Sequence, residues 1–231
     1  MKPITHAAAT LGGQIAGQLR RDILTGALPP GAPVKERDHA ARMDVSRTPL
    51  REAIRILADE GLIVLRPSRS PVVADPSLQE VRDDLTVMIA LEVLSGRLAC
   101  AAARDDDLDA IAARHAAMVA DDAENYTLHF FEMDMDFHRA IVAASHNAGL
   151  IRTHGEYVGR LFRARYLSAS ARNERGRVLE EHGAICRALM ARDAGDAETA
   201  IARHLDNLTR NIGRVYDESG SRAAPDGKDD G

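Results

Sequence analysis

The sequence predicts a mainly α protein, with a winged helix-turn-helix over residues 10–75, an all-α bundle over 76–217 and a disordered tail over 218–231. Three observations predict it. Aromatic residues make up 3% of the chain and alanine is abundant, which favours helices over sheets. Apolar residues recur at helical spacing through most of the length, interrupted only by short breaks. The exception is a pair of β-rich runs, LIVL (Leu62 to Leu65) and PVVA (Pro71 to Ala74), which flank Arg66 to Ser70 as a small hairpin would.

A first helix runs from about Thr10 to Thr25, with Leu11, Ile15, Leu19 and Ile23 on one face. Gly26 ends it, and Pro29, Pro30 and Gly31 make the following turn. A second helix covers about Lys35 to Met43, and Asp44 takes the tight turn before Val45. Ser46 caps the third helix, whose first turn tolerates Pro49, and Gly61 terminates it. Three helices and a hairpin make a winged helix-turn-helix. Asp75, Pro76 and Ser77 form the boundary, with Ser77 as the next cap. Helices then follow at about 77–103, 107–123, 127–145, 148–170, 174–192 and 194–216. Their breaks fall at Asp105-Asp106-Asp107, His146-Asn147, Asn173 and Gly195-Asp196, and the tail ESGSRAAPDGKDDG lacks periodicity.

No apolar run approaches the roughly 20 residues of a membrane span, and the N-terminus MKPITHAAATLGGQ has no signal-peptide core. Cys100 and Cys186 lie far apart within helical patterns, so buried reduced thiols are expected rather than a disulfide. The chain reads as cytoplasmic. Its net charge of −5 divides unevenly: residues 1–75 carry +3 and residues 76–231 carry −8. That asymmetry suits a nucleic-acid-binding portion joined to an acidic portion with another task.

The basic portion is concentrated in VSRTPLREAIRILADEGL, Val45 to Leu62. Arg47, Arg51 and Arg55 recur every four residues and stack along one side of the helix. Leu50, Ile54 and Leu57 supply a buried stripe on another side. Arginine can fork onto guanine edges in the major groove or hold phosphates. Spacing alone also fits a solvated helix face, but the cap, the turn, the two-proline loop and the wing together favour DNA reading.

The run from Ile15 to Val73, with SRTPLREA and a downstream DEGL, resembles the GntR family of bacterial transcription regulators. The second half resembles the FadR subgroup and its all-helical FCD ligand-binding domain, through ALE at Ala90 to Glu92, DMDFH at Asp134 to His138, and AASHN at Ala143 to Asn147. EEHGAICRALMARD and GDAETAIARHL follow in the expected order. The resemblance implies DNA contacts from Arg37, Ser46, Arg47, Thr48 and Arg51, with Arg69 at the hairpin tip entering or flanking the minor groove. Asp44 stands where the family usually has glycine, and Asp tolerates the left-handed conformation better than most residues. Ser70 replaces the usual wing glycine.

In the acidic half, Asp134 and His138 share a helix face with Phe130, Phe137 and Ile141, so the pair points inward. A buried carboxylate without a partner is costly, and a metal is one way to stabilise it. His182 and His204 also lie on apolar stripes. One carboxylate and three imidazoles suit a divalent ion such as Zn²⁺, Ni²⁺ or Mn²⁺. An inward histidine is more often a hydrogen-bonded core residue, and His115 is placed similarly, so position alone does not select these three. The resemblance to the metal-binding branch of FCD domains does, implying Asp134, His138, His182 and His204 as ligands, while Asp136 points away.

Many relatives carry an arginine four residues before the glutamate of the first FCD helix; here that position is Met88, and Arg165 is the candidate substitute as an effector anchor. The expected protein is a homodimeric repressor on a pseudo-palindromic operator, modulated by a small carboxylate near the metal. The alternative is a metal-dependent enzyme acting on a small organic acid through the Asp/His₃ site.

Overall fold

The computed structural model describes residues 10–122, 125–172 and 174–222. Its elements follow in the order α1 (Leu11–Leu24), α2 (Glu36–Arg42), α3 (Arg47–Asp59), β1 (Ile63–Val64), β2 (Val72–Val73), α4 (Leu78–Ala102), α5 (Asp105–Ala120), α6 (Leu128–Ala144), α7 (Ala148–Arg172), α8 (Arg175–Met190) and α9 (Ala194–Arg222). By contact the chain divides into two units: one of residues 1–84 with 155–163, the other of 85–154 with 164–231.

In the first unit α1 packs on α3. Thr10 caps α1 by accepting from the Gly13 N–H at 3.0 Å. Ile15, Leu19 and Ile23 are buried, as are Leu50, Ile54 and Leu57 of α3. Leu11, expected on the same stripe, is 52% exposed. Helical Cα–Cβ bonds tilt towards the N-terminus, so a first-turn side chain points past the packed face.

Asp44 sits in the left-handed region at φ 52° and turns α2 into α3. Ser46 is the N-cap residue of α3, with extended backbone, yet its side chain makes no capping bond. Pro49, three residues on, has no N–H to donate, which removes one of the two customary partners of a cap hydroxyl. The wing pairs antiparallel, Ile63 with Val73 and Val64 with Val72. Arg66 closes it by donating to the Ser70 carbonyl at 2.9 and 2.6 Å.

Gly61, after α3, has φ +70°, and a Cβ there would come within 2.5 Å of the Gly159 carbonyl carbon. G61A is therefore expected to lower the stability of this unit by about 1–3 kcal/mol through backbone strain and overpacking. Urea unfolding followed by circular dichroism measures it; an unchanged midpoint would show that the backbones separate freely.

In the second unit α5 packs on α6 and α8, and α8 on α9. Two of the expected breaks are shifted. Asp105, Asp106 and Asp107 form the first turn of α5 rather than a gap before it. Carboxylates are favourable at the positive end of the helix dipole, and Asp107 accepts from the Arg104 N–H at 2.9 Å. Likewise Gly195 and Asp196 open α9, and the break precedes them at Arg192, with φ 54°. Ser77 caps α4 reciprocally with Glu80: its Oγ accepts the Glu80 N–H at 3.2 Å, and the carboxylate accepts the Ser77 N–H at 2.8 Å. α9 continues to Arg222, through positions read from sequence as tail; Asn173 and residues 223–231 lie outside the described residues.

Helix α4 contains an 18-residue window of mean hydropathy 1.7, so by length and composition it alone among the described helices is apolar enough to cross a membrane. It carries Glu92 and Ser95, both buried, and makes side-chain contacts with the neighbouring helices of its unit, so it is a core helix. Cys100 and Cys186 are both buried and free.

A candidate metal centre and a candidate DNA interface

Helix α6 carries Asp134 and His138 one turn apart, at 6% and 2% exposure, held inward by the buried rings of Phe130 and Phe137. α8 adds His182 and α9 adds His204, at 0% and 7%. One possible ligand atom from each of the four lies within 4.8 Å of the others. Ligands at about 2.1 Å on opposite sides of a metal are about 4.2 Å apart, so a small inward movement suffices to close on an ion.

The polar atoms fit that role. Asp134 Oδ1, His138 Nε2 and both ring nitrogens of His182 are buried without a hydrogen-bond partner. His182 Nε2 and His138 Nε2 stand 3.2 and 3.6 Å from Asp134 Oδ1, near enough for attraction but lacking hydrogen-bond alignment. So many converging orphaned atoms are unusual in a core, where polar groups are nearly always paired. A shared cation satisfies them together.

The outward atoms are held by other groups. His138 Nδ1 lies 2.7 Å from Glu92 Oε2, and His204 Nδ1 lies 2.8 Å from Glu181 Oε2. A carboxylate on Nδ1 fixes the ring and turns the Nε2 lone pair towards a metal. The Tyr126 hydroxyl donates to Asp134 Oδ2 at 3.1 Å, leaving Oδ1 facing inward. His182 has no such partner; its ring lies flat on Phe137, with centroids 4.2 Å apart. Glu181 also accepts from Arg177 at 2.7 Å and from Asn207 at 2.8 Å.

Burial lowers the pKa of His182 to about 3 despite the nearby Asp134, and burial also lowers that of His204. Burial opposes a charge on His138 too, but Glu92 and Asp134 outweigh it and raise its pKa to about 9. Burial alone would raise the carboxyls of Asp134 and Glu92; the neighbouring histidines hold both well below their ordinary range. Neutral His182 and His204 and ionised Asp134 suit a divalent ion, and ligation by His138 requires loss of its ring proton, which a bound cation favours.

The other acidic-half residues are accounted for. His115 Nε2 lies 3.0 Å from the Leu179 carbonyl oxygen, a hydrogen-bonded core histidine. Asp136 is exposed and pairs with Arg139 at 2.8 Å. Arg165 is 2% exposed. Its Nη1 lies 3.2 Å from Glu92 Oε1 and 3.3 Å from the Met88 sulfur, so the guanidinium reaches the position, Met88, for which it was expected to substitute. A pocket enclosing about 470 Å³, open solvent included, lies against the cluster; Asp134, His204, Arg165, Ser168, Arg177 and Phe131 are among its walls. Sequence reasoning missed Glu92, Glu181 and Tyr126 as supporting groups. Glu181, directly before His182, carried a signal; Tyr126, eight residues from Asp134 and ahead of α6, carried none.

In the first unit Arg37, Ser46, Arg47, Thr48, Arg51 and Arg69 are all exposed. Arg51 Nε lies 2.8 Å from Glu36, and Arg37 Nε lies 3.3 Å from Asp38. Exposed pairs of this kind contribute little, about 0–1 kcal/mol, and exchange readily for phosphate.

Comparison with known proteins decides the family. The model of bacterial regulatory proteins of the gntR family matches residues 11–73, and that of the FCD domain matches residues 84–207. The chain belongs to the GntR family. It is 31% identical over 198 residues to a probable D-xylose utilization operon transcriptional repressor of Paenarthrobacter nicotinovorans, covering 85% of this chain and 86% of that one. It is 29% identical over 207 residues to the HTH-type transcriptional repressor RspR of Escherichia coli K12, covering 89% and 90%. The fold matches E. coli McbR/YncC with a TM-score of 0.66 at 20% identity, over 91% of this chain and 99% of that one. A putative GntR regulator from Rhodococcus sp. RHA1 matches with 0.65 at 20% identity, over 89% and 98%. This GntR-family chain is a DNA-binding transcriptional regulator and not an enzyme.

Proposed function

We propose that this GntR-family regulator is a repressor that acts in the cytoplasm, as a homodimer on a pseudo-palindromic operator. Arg37, Ser46, Arg47, Thr48 and Arg51 contact the major groove and its phosphates, and Arg69 reaches the minor groove from the wing. Asp134, His138, His182 and His204 hold a divalent ion, Zn²⁺, Ni²⁺ or Mn²⁺. When bound, the ion would supply positive charge and Lewis acidity beside the pocket that Asp134 and His204 line. A small carboxylate effector enters there, with Arg165 as its protein anchor, and binds the DNA-free form more tightly than the DNA-bound form.

The observation that carries this reading is the convergence of Asp134 Oδ1, His138 Nε2 and His182 Nε2, all buried without a hydrogen-bond partner, beside a pocket that Asp134 and His204 line. Elemental analysis of the purified chain, joined to operator release by short acids with and without metal, tests it. One equivalent of transition metal and metal-dependent release are expected. Stoichiometric protein without metal affinity would refute the ligand set, and acids that bind without loosening DNA would refute the effector role.

A further inference from the structure

We infer that Ser168 is the second anchor of the effector. Its hydroxyl and the free edge of Arg165 form a carboxylate subsite beside the metal site, and the effector is a short acid with a second oxygen function that reaches the ion. This rests on the carboxylate-effector reading above and deepens it.

Ser168 lies on α7 and is 1% exposed. Its Oγ is buried without a hydrogen-bond partner, and the residue lines the pocket beside the ligand cluster. That is unusual chemistry for a helical serine, which ordinarily returns its hydroxyl to a carbonyl three or four residues back. Other serines of this chain do so: Ser95 to the Glu92 carbonyl at 2.7 Å, Ser145 to Val142 at 2.6 Å, and Ser170, on the same helix, to Leu167 at 3.3 Å. An orphaned buried hydroxyl costs stability unless something else pairs with it.

Arg165 is three residues earlier, so both side chains occupy one face of α7, a turn apart. Arg165 Nη1 is held by Glu92 and Met88. Among the described residues its remaining N–H groups make no hydrogen bond, although the side chain is buried and lines the same pocket. A carboxylate has two oxygens and accepts from both a guanidinium and a hydroxyl. Asp134 and His204, two of the candidate metal ligands, line the same pocket. A molecule that meets both groups needs a carboxylate for Arg165 and Ser168 and another oxygen for the ion, as in a short dicarboxylate or hydroxy acid.

The test uses the full chain, metal-loaded, with butyrate, succinate, malate and tartrate as probes in calorimetry and thermal shift. The acids with a second oxygen function should bind the wild type more tightly than butyrate, and only in the presence of metal. S168A should weaken the tightest probe by about ten- to a hundredfold, the loss of one hydrogen bond to a charged group. Its metal content should be unchanged, and its melting temperature without probe should be equal or higher, because an unpaired hydroxyl has been removed. S170A, whose hydroxyl is already paired, should bind the probe like the wild type.

Unchanged probe affinity in S168A would overturn the inference while leaving the metal-dependent effector site intact. So would a fall of several degrees in its probe-free melting temperature, which would reveal a structural partner for the hydroxyl. If none of the four acids binds the wild type in a metal-dependent way, the carboxylate-effector reading falls and this inference falls with it.

Discussion

Replacing Arg47 and Arg51 together with alanine is expected to abolish operator binding at physiological salt while leaving the chain folded. Both lie in the first turns of α3, the part of a recognition helix that meets base edges. A well-placed arginine is worth about 1–3 kcal/mol at its base pair, so the double variant should lose about 2–6 kcal/mol, from some thirtyfold to more than ten-thousandfold. Folding should survive because both side chains are exposed and the inward residues Leu50, Ala53, Ile54 and Leu57 remain. The Arg51–Glu36 pair that is lost has its arginine side chain 58% exposed and contributes little. R55A, one turn further along, should have a much smaller effect. Fluorescence anisotropy on operator and scrambled DNA across a salt series separates base reading from phosphate contact, since each lost phosphate contact flattens the logarithmic salt slope by about 0.9. Sequence-specific binding by the double variant with an unchanged slope would refute the contact assignment.

Helix α3 and its surroundings were legible because most levels of the sequence agree. The apolar stripe, the left-handed turn at Asp44 and the hairpin all appear in the structure where periodicity and turn chemistry put them. The details that escaped depend on what lies beyond the residue itself. Ser46 looks like a capping side chain, yet it makes no capping bond, and Pro49 removes one of its two possible donors. The acidic run at Asp105 to Asp107 reads as a solvated break, yet the dipole of the following helix makes it a first turn. The candidate metal cluster was less legible still. Helical spacing brings Asp134 and His138 together, but no periodicity tells that α8 and α9 turn His182 and His204 onto the same point; only family resemblance selected them over His115. One of the groups that orient the cluster comes from a distant part of the chain. Glu92 is 46 residues before His138, and nothing local in the sequence couples their registers.

Stripping the metal with a chelator, then restoring it, is expected to move the melting temperature strongly in the wild type and hardly at all in H182A. The comparison turns on His182 because no side chain other than the ligand group competes for its nitrogens. Neither ring nitrogen has a hydrogen-bond partner, and the ring is placed by its stacking on Phe137 rather than by a carboxylate. Without an ion, H182A removes a poorly satisfied imidazole and leaves a cavity, two opposing effects on stability. With an ion, it also removes one ligand of four. The difference between loaded and stripped protein cancels the cavity, which is common to both, and isolates coordination. An ion at a thousand times its Kd stabilises a folded site by about 4 kcal/mol. For a chain of this size that corresponds to a rise of about 8–16 °C if unfolding is cooperative. Differential scanning calorimetry of stripped, Zn²⁺-, Ni²⁺- and Mn²⁺-loaded samples measures it and ranks the ions. A Glu92→Gln variant adds a graded case: the hydrogen bond that holds His138 is weakened while all four ligands stay, so metal affinity should fall by about ten- to a hundredfold without vanishing. If metal raises the melting temperature of H182A as much as that of the wild type, the four residues do not form the site, and their convergence is a polar core.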